Sequence, residues 1–191
     1  NPANDLLSAI ANAEINGEKL SDEFLDGSWL LIVFAGNDTT RNTMSGGIKL
    51  LHENQIQKEM LIDNLELLPN FINETVRCVS PVIHMRRTSL EETEINGQKI
   101  GPFEKIALWY GAANRDPDVF EDPDKFNILR DNADKHLAFG IGRHTCIGKP
   151  VALMQLQEFY SQFLTRFQDF EMNGDWKVAP NNFVHAIQEM P

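Results

Sequence analysis

The sequence predicts a mainly α-helical fold with small β-sheets, and three observations carry that expectation. No proline interrupts the helical pattern that begins after Ser21 until Pro69, an apolar spacing close to 3.6 residues follows Lys149, and an Asn-Gly pair separates two short β-prone segments.

In chain order, Ser21 can cap a helix whose first turn carries Asp22 and Glu23, so one long helix is expected from about Asp22 to His52. At 1.5 Å per residue it would span roughly 46 Å. Its middle, Trp29 to Gly36, is apolar on every face, which places it inside a larger protein rather than on a surface. A second helical stretch, from about Leu61 to Val79, stops before Pro81, because the residue preceding a proline is biased away from helical backbone. Thr93 to Ile95 and Gln98 to Ile100 then flank Asn96-Gly97, the strongest two-residue hairpin turn, and Ile106 to Trp109 reads as a further strand. A glycine-rich loop, Phe139 to Gly148, precedes a helix with Ala152, Leu156, Phe159, Phe163 and Phe167 at helical spacing. From Asp169 the chain is irregular with short strands. With no internal repeat and no low-complexity tract, one continuous domain is the simplest organisation.

The chain has 191 residues and a formal charge of −11. That balance argues against a nucleic-acid partner, which requires a basic stripe to neutralise phosphates. The longest apolar run, Trp29 to Gly36, falls far short of the ~20 residues of a spanning helix, so no transmembrane segment is expected. The chain begins at Asn1 without a targeting pattern and is expected to be a fragment. Two cysteines, Cys78 and Cys146, form neither a disulfide framework nor a metal knuckle, and a reducing cytoplasm is the expected compartment.

Cys146 lies among Gly140, Gly142 and Gly148, immediately before a helix. A thiolate bound to haem iron requires backbone close to the porphyrin, which glycines allow, and amide N–H groups aimed at sulfur. The following helix N-terminus favours the thiolate. A buried structural thiol in a tight loop is the plainer alternative.

The segment Phe139-Gly-Ile-Gly-Arg-His-Thr-Cys-Ile-Gly148 resembles the cysteine signature of the cytochrome P450 family at every fixed position. The resemblance implies the C-terminal portion of one P450 domain over residues 1–191, with the N-terminal half absent, and haem b as cofactor. Cys146 would be the axial iron ligand, Phe139, Gly140, Gly142 and Gly148 would shape its loop, and His144 would bind a haem propionate. Ala35-Gly-Asn-Asp-Thr-Thr40 resembles the family's oxygen-activation motif, in which Gly36 clears space for dioxygen and Asp38 and Thr39 relay protons. The Thr39 hydroxyl would reach back along the helix and open a groove. Glu74 and Arg77 look like the family's structural Glu-x-x-Arg pair. Its usual third partner is unassigned, because Pro123-Asp-Lys125-Phe126 carries Lys where that partner stands. Arg86 is placed as a second propionate-binding arginine in preference to its neighbour Arg87, since a strand can turn only one of them to the haem.

Asn37 to Asn42, Ser80 to Thr88, Ala113 to Pro117 and His136 to Gly140 together resemble the bacterial P450 alkane hydroxylases, which oxidise the terminal carbon of medium-chain n-alkanes. Terpenes, fatty acids and steroid side chains are the alternative substrates. The family lines its substrate pocket at positions held here by Leu31, Phe34, Val82, Ile83, Phe183 and Val184. One departure from the family is Gly101-Pro-Phe103-Glu, where basic residues followed by glycine are usual. The resemblance implies a monooxygenase using O2 and electrons from NAD(P)H, delivered by a ferredoxin reductase and a [2Fe-2S] ferredoxin that could meet Arg143 and Lys149. A non-catalytic haem-binding module, a peroxygenase and an inactive fragment are the competing functional readings.

Overall fold

Helix α2, Asp22–Glu53, runs unbroken within one residue of its expected end. The computed structural model describes residues 3–191, which divide into two units, 1–37 and 38–191, at a point inside α2. In the first unit, α1 (Leu6–Ala11) is capped by Asp5, whose carboxylate accepts from Ser8 N at 2.7 Å, and β1 (Glu14–Ile15) pairs antiparallel with β2 (Glu18–Lys19). Ser21 Oγ accepts from Phe24 N at 3.3 Å at the start of α2, the cap expected there.

The second unit corrects one expectation. The helical stretch ending at Val79 is not continuous: α3 (Gln55–Asp63) stops at Asn64, and α4 (Leu68–Val79) starts after a single 3-10 turn at Leu65–Leu67. Asn64 adopts extended backbone and its side chain accepts from Glu66 N at 3.1 Å, which competes with helix continuation. Pro69, in the first turn of α4, starts the new helix without losing a required N–H.

Four two-stranded antiparallel sheets complete the described chain. β3 (His84–Thr88) pairs with β6 (Lys105–Trp109), and β4 (Thr93–Ile95) pairs with β5 (Gln98–Ile100). The latter hairpin turns on Asn96 (φ 49°) and Gly97 (φ 80°), the double positive φ of a type I′ turn. α5 (Tyr110–Ala113), α6 (Lys149–Arg166) and the pair β7 (Lys177–Val178) and β8 (Ile187–Glu189) follow. The mainly helical fold with small sheets is the one the sequence predicts.

The core joins α2, α3, α4 and α6 through Leu51, Leu61, Leu68, Phe71, Leu156 and Leu164. Tyr160 of α6 is fully buried, edge-on to Phe71 at 4.8 Å, and its hydroxyl donates to the α2 carbonyls of Thr43 (2.9 Å) and Met44 (3.0 Å). This approach requires glycine on α2: a Cβ at Gly47 would meet the Tyr160 ring at 2.8 Å, and one at Gly46 would meet Val79 at 2.5 Å.

Candidate functional site

The cysteine loop closes on itself through backbone bonds. Gly140 N donates to Leu137 O (2.8 Å), Cys146 N to Phe139 O (2.8 Å) and Thr145 N to Gly142 O (3.1 Å). Gly140 and Gly142 take φ of 69° and 71°, a conformation other residues adopt only under strain. A Cβ at Gly140 would also sit 3.2 Å from His144 O. Phe139 packs against the core and anchors the loop from below.

The tight loop leaves the Cys146 side chain exposed. It stands three residues before α6, whose N-terminus favours an anion. A Cβ at Gly148 would lie 3.7 Å from Cys146 Sγ, so the glycine keeps that side of the sulfur open. His144 and Arg143 are exposed in the same loop, and Ile141 and Ile147 expose large apolar surfaces. One soft, open sulfur at a helix N-terminus, with apolar and cationic neighbours, is a donor set that fits haem iron, an apolar macrocycle and its anionic propionates.

Arg87, rather than Arg86, turns toward this loop. Arg87 lines a cavity of about 150 Å³ with Leu108, Trp109, Tyr110, Leu137 and Ile141, whereas Arg86 is exposed. Arg87 is thus the member of the pair that shares this wall with Ile141 of the loop. The register of β3 against β6, with His84 opposite Trp109, sets which residue of the pair faces the cavity.

Beneath the loop lies a buried ion cluster. Glu74 and Arg77, both fully buried, form two bonds of 2.8 Å, from Arg77 Nε to Oε2 and from Nη2 to Oε1. Arg130 completes the cluster, with Nε 3.1 Å from each oxygen of Glu74. Lys125, at the position where a third partner was sought, instead pairs with Asp122 at 2.5 Å in solvent. Only the fold brings Arg130 to Glu74, and no local pattern marks it.

His136 is buried, and that burial, with a smaller contribution from Lys149, pushes its imidazole down to about 4. Its Nδ1 accepts from Ala138 N at 3.2 Å, so the neutral ring carries its proton on Nε2. Burial first, then Glu74, pushes the Cys78 thiol up to about 11.

In the oxygen-motif segment, Asp38 pairs with Arg41 at 2.8 Å and Thr43 Oγ1 donates to Thr39 O at 2.8 Å. The helix continues through these residues. Of the expected pocket residues, Val82, Ile83, Phe183 and Val184 come together: Val82 bridges Val184, and Ile83 N donates to Phe183 O at 2.9 Å. Leu31, Phe34 and Gly36 belong to the first unit, where Leu31 and Phe34 are exposed and a Cβ at Gly36 would meet nothing within 4 Å.

Among the described residues, no helix is long and apolar enough to cross a membrane. The family model of cytochrome P450 matches residues 1–186. Linalool 8-monooxygenase of Pseudomonas putida is 39% identical over 190 residues, covering 100% of this chain and 47% of the relative. Steroid C26-monooxygenase of Mycolicibacterium smegmatis is 38% identical over 192 residues, covering 100% of this chain and 48% of the relative. A Mycobacterium marinum cytochrome P450 solved with pseudoionone superposes with a TM-score of 0.93 at 37% identity, covering 100% of this chain and 46% of that one. The chain thus spans about half the length of the curated relatives it matches. With its cysteine loop, its buried Glu-x-x-Arg cluster and a family match over nearly its whole length, the chain belongs to the cytochrome P450 family.

Proposed function

We propose that this chain carries the haem-thiolate half of a monooxygenase that inserts one oxygen atom of O2 into an unactivated C–H bond. The observation that carries the proposal is the exposed Cys146 thiol, in a glycine loop held over the buried Glu74–Arg77–Arg130 cluster. Haem, when bound, supplies dioxygen binding and C–H oxidation. Cys146 would hold the iron, Arg87 would neutralise a propionate and His144 would hydrogen-bond one. Asp38 and Thr39 hold and pass the protons consumed as the second oxygen atom leaves as water. Asp38 is free to exchange partners because its ion pair with Arg41 is solvent-exposed on both sides.

The two electrons come from NAD(P)H through an external ferredoxin reductase and [2Fe-2S] ferredoxin, with Arg143 and Lys149 on the docking side. The apolar Val82, Ile83, Phe183 and Val184 suit a hydrocarbon substrate, and the motifs around Asn37 and His84 favour the terminal carbon of a medium-chain n-alkane. A second reading, oxidation of a terpenoid or steroid side chain, is favoured by the relatives named linalool and steroid monooxygenases.

The test is the reduced-plus-CO difference spectrum of the full-length gene product carrying this chain, beside its Cys146→Ser variant. A red-shifted thiolate band lost in the variant supports the proposal, whereas a band that survives the substitution sinks it. Substrate-induced spectral shifts with n-octane, linalool and a steroid then separate the two substrate readings.

A further inference from the structure

Asn114 is fully buried and uses every polar group it has. Its N donates to Tyr110 O (2.9 Å), its carbonyl accepts from Arg77 Nη1 (2.7 Å), its Nδ2 donates to Ser80 Oγ (2.8 Å) and its Oδ1 accepts from Leu137 N (2.6 Å). These partners lie in distant parts of the sequence. Arg77 belongs to the buried ion cluster, Ser80 is the left-handed cap of α4 (φ 42°), and Leu137 opens the cysteine loop. Ser80 Oγ in turn donates to Arg77 O at 2.9 Å.

From Leu137 the connection continues through backbone. Leu137 O accepts from Gly140 N, and Phe139 O accepts from Cys146 N, both at 2.8 Å. Among the described residues, the hydrogen bonds made by residues 138–148 close within the loop, with His136, or with the first turns of α6. The Asn114 side chain supplies the bond that ties the loop entrance to the rest of the molecule.

We propose that Asn114 is a positioning residue that fixes the cysteine loop to the Glu74–Arg77–Arg130 cluster and so sets the orientation of Cys146 toward the iron. This rests on the reading of Cys146 as iron ligand. The physical basis is the asymmetry of hydrogen bonding: without Oδ1, the partly buried Leu137 N–H keeps its desolvation penalty and loses its acceptor. The loop then gains freedom at its entrance, and the sulfur gains it through two backbone bonds.

The test compares Asn114→Leu, which removes both side-chain bonds, with Asn114→Asp, which keeps the acceptor, and Ser80→Gly, which removes the Nδ2 partner and its bond to Arg77 O, leaves Oδ1 on Leu137 and suits the positive φ. Two readouts are taken on the haem-loaded full-length gene product: amide exchange of residues 137–148, and the rate at which the ferrous–CO thiolate band converts to the band of a haem that has lost thiolate ligation. Asn114→Leu should accelerate both by about ten-fold or more, while Asn114→Asp and Ser80→Gly remain near wild type. Should Asn114→Leu not fold, Asn114→Ser withdraws the oxygen from Leu137 and is read the same way. Unchanged loop exchange in the Leu variant, an Asp variant that behaves like it, or acceleration spread evenly over the chain would each overturn the proposal. A wild-type spectrum lacking the thiolate band removes the ligand assignment and this proposal together, whereas a wild-type band with an unaltered Leu variant removes this proposal alone.

Discussion

Arg130 Nε sits 3.1 Å from both carboxylate oxygens of Glu74, across 56 residues of sequence, so one buried glutamate serves two arginines. The excess positive charge is spread over main-chain carbonyls: Arg77 reaches Pro123 O at 2.7 Å, and Arg130 reaches Glu121 O at 2.6 Å. Removing Glu74 leaves two buried guanidinium charges without their counter-ion, whereas removing Arg130 leaves the Glu74–Arg77 pair in place. Glu74→Gln should lower unfolding free energy by about 3–5 kcal/mol, read from urea midpoints, and Arg130→Met should cost less, because Arg77 still neutralises Glu74. Lys125→Ala should leave the midpoint in place, since Lys125 pairs only with solvent-exposed Asp122.

The two thiols should separate cleanly under alkylation. Cys146 is exposed, whereas Cys78 is partly buried, beside Glu74, with its thiol held at about 11. Iodoacetamide near neutral pH should add once to the haem-free protein, at Cys146, by mass spectrometry. A second adduct at Cys78 in folded protein would contradict the packing described for α4, and haem should protect Cys146.

His136 links folding to pH. Its ordinary pKa of 6.5 falls to about 4 in the folded chain through burial, then Lys149, with Arg77 adding to the depression and Asp134 and Glu74 opposing it. The folded state therefore keeps the ring neutral while the unfolded state takes up a proton below pH 6.5. Its contribution is fully present above that value and is lost as pH falls toward 4. Between pH 7 and pH 5, His136→Phe should reduce the loss of unfolding free energy by about 2 kcal/mol, measured by paired urea titrations.

Phe103 should be improvable. It takes φ 64° with its side chain exposed, and its amide is held by Ser89 O at 2.9 Å. A left-handed non-glycine residue carries about 1–2 kcal/mol of strain. Phe103→Gly should therefore raise stability by about 1 kcal/mol, seen as a higher urea midpoint with unchanged slope.

Local chemistry made parts of this molecule readable. The Ser21 cap and acidic first turn located α2 to within a residue, and Asn96-Gly97 located its hairpin, because those determinants lie within a few residues of what they determine. The break at Asn64 is not legible in the sequence, since a capping asparagine inside a helical pattern looks like any exposed polar residue. Arg130 and Asn114 were not identified as partners because both act over long sequence separations. Which of Arg86 and Arg87 faces the cavity is not legible in β3 alone, because strand phase depends on the packing against β6.

The contact at Gly46 and Gly47 makes two missing methyl groups the condition for the approach of α4 and α6 to α2. Asp38 and Thr39 ride on the same helical rod as these glycines, and Tyr160 rides on the helix that begins just beyond Cys146. Any carbon added at residue 47 would run into Tyr160 and Thr75, so side-chain volume at one position of α2 decides how closely α6 can approach it.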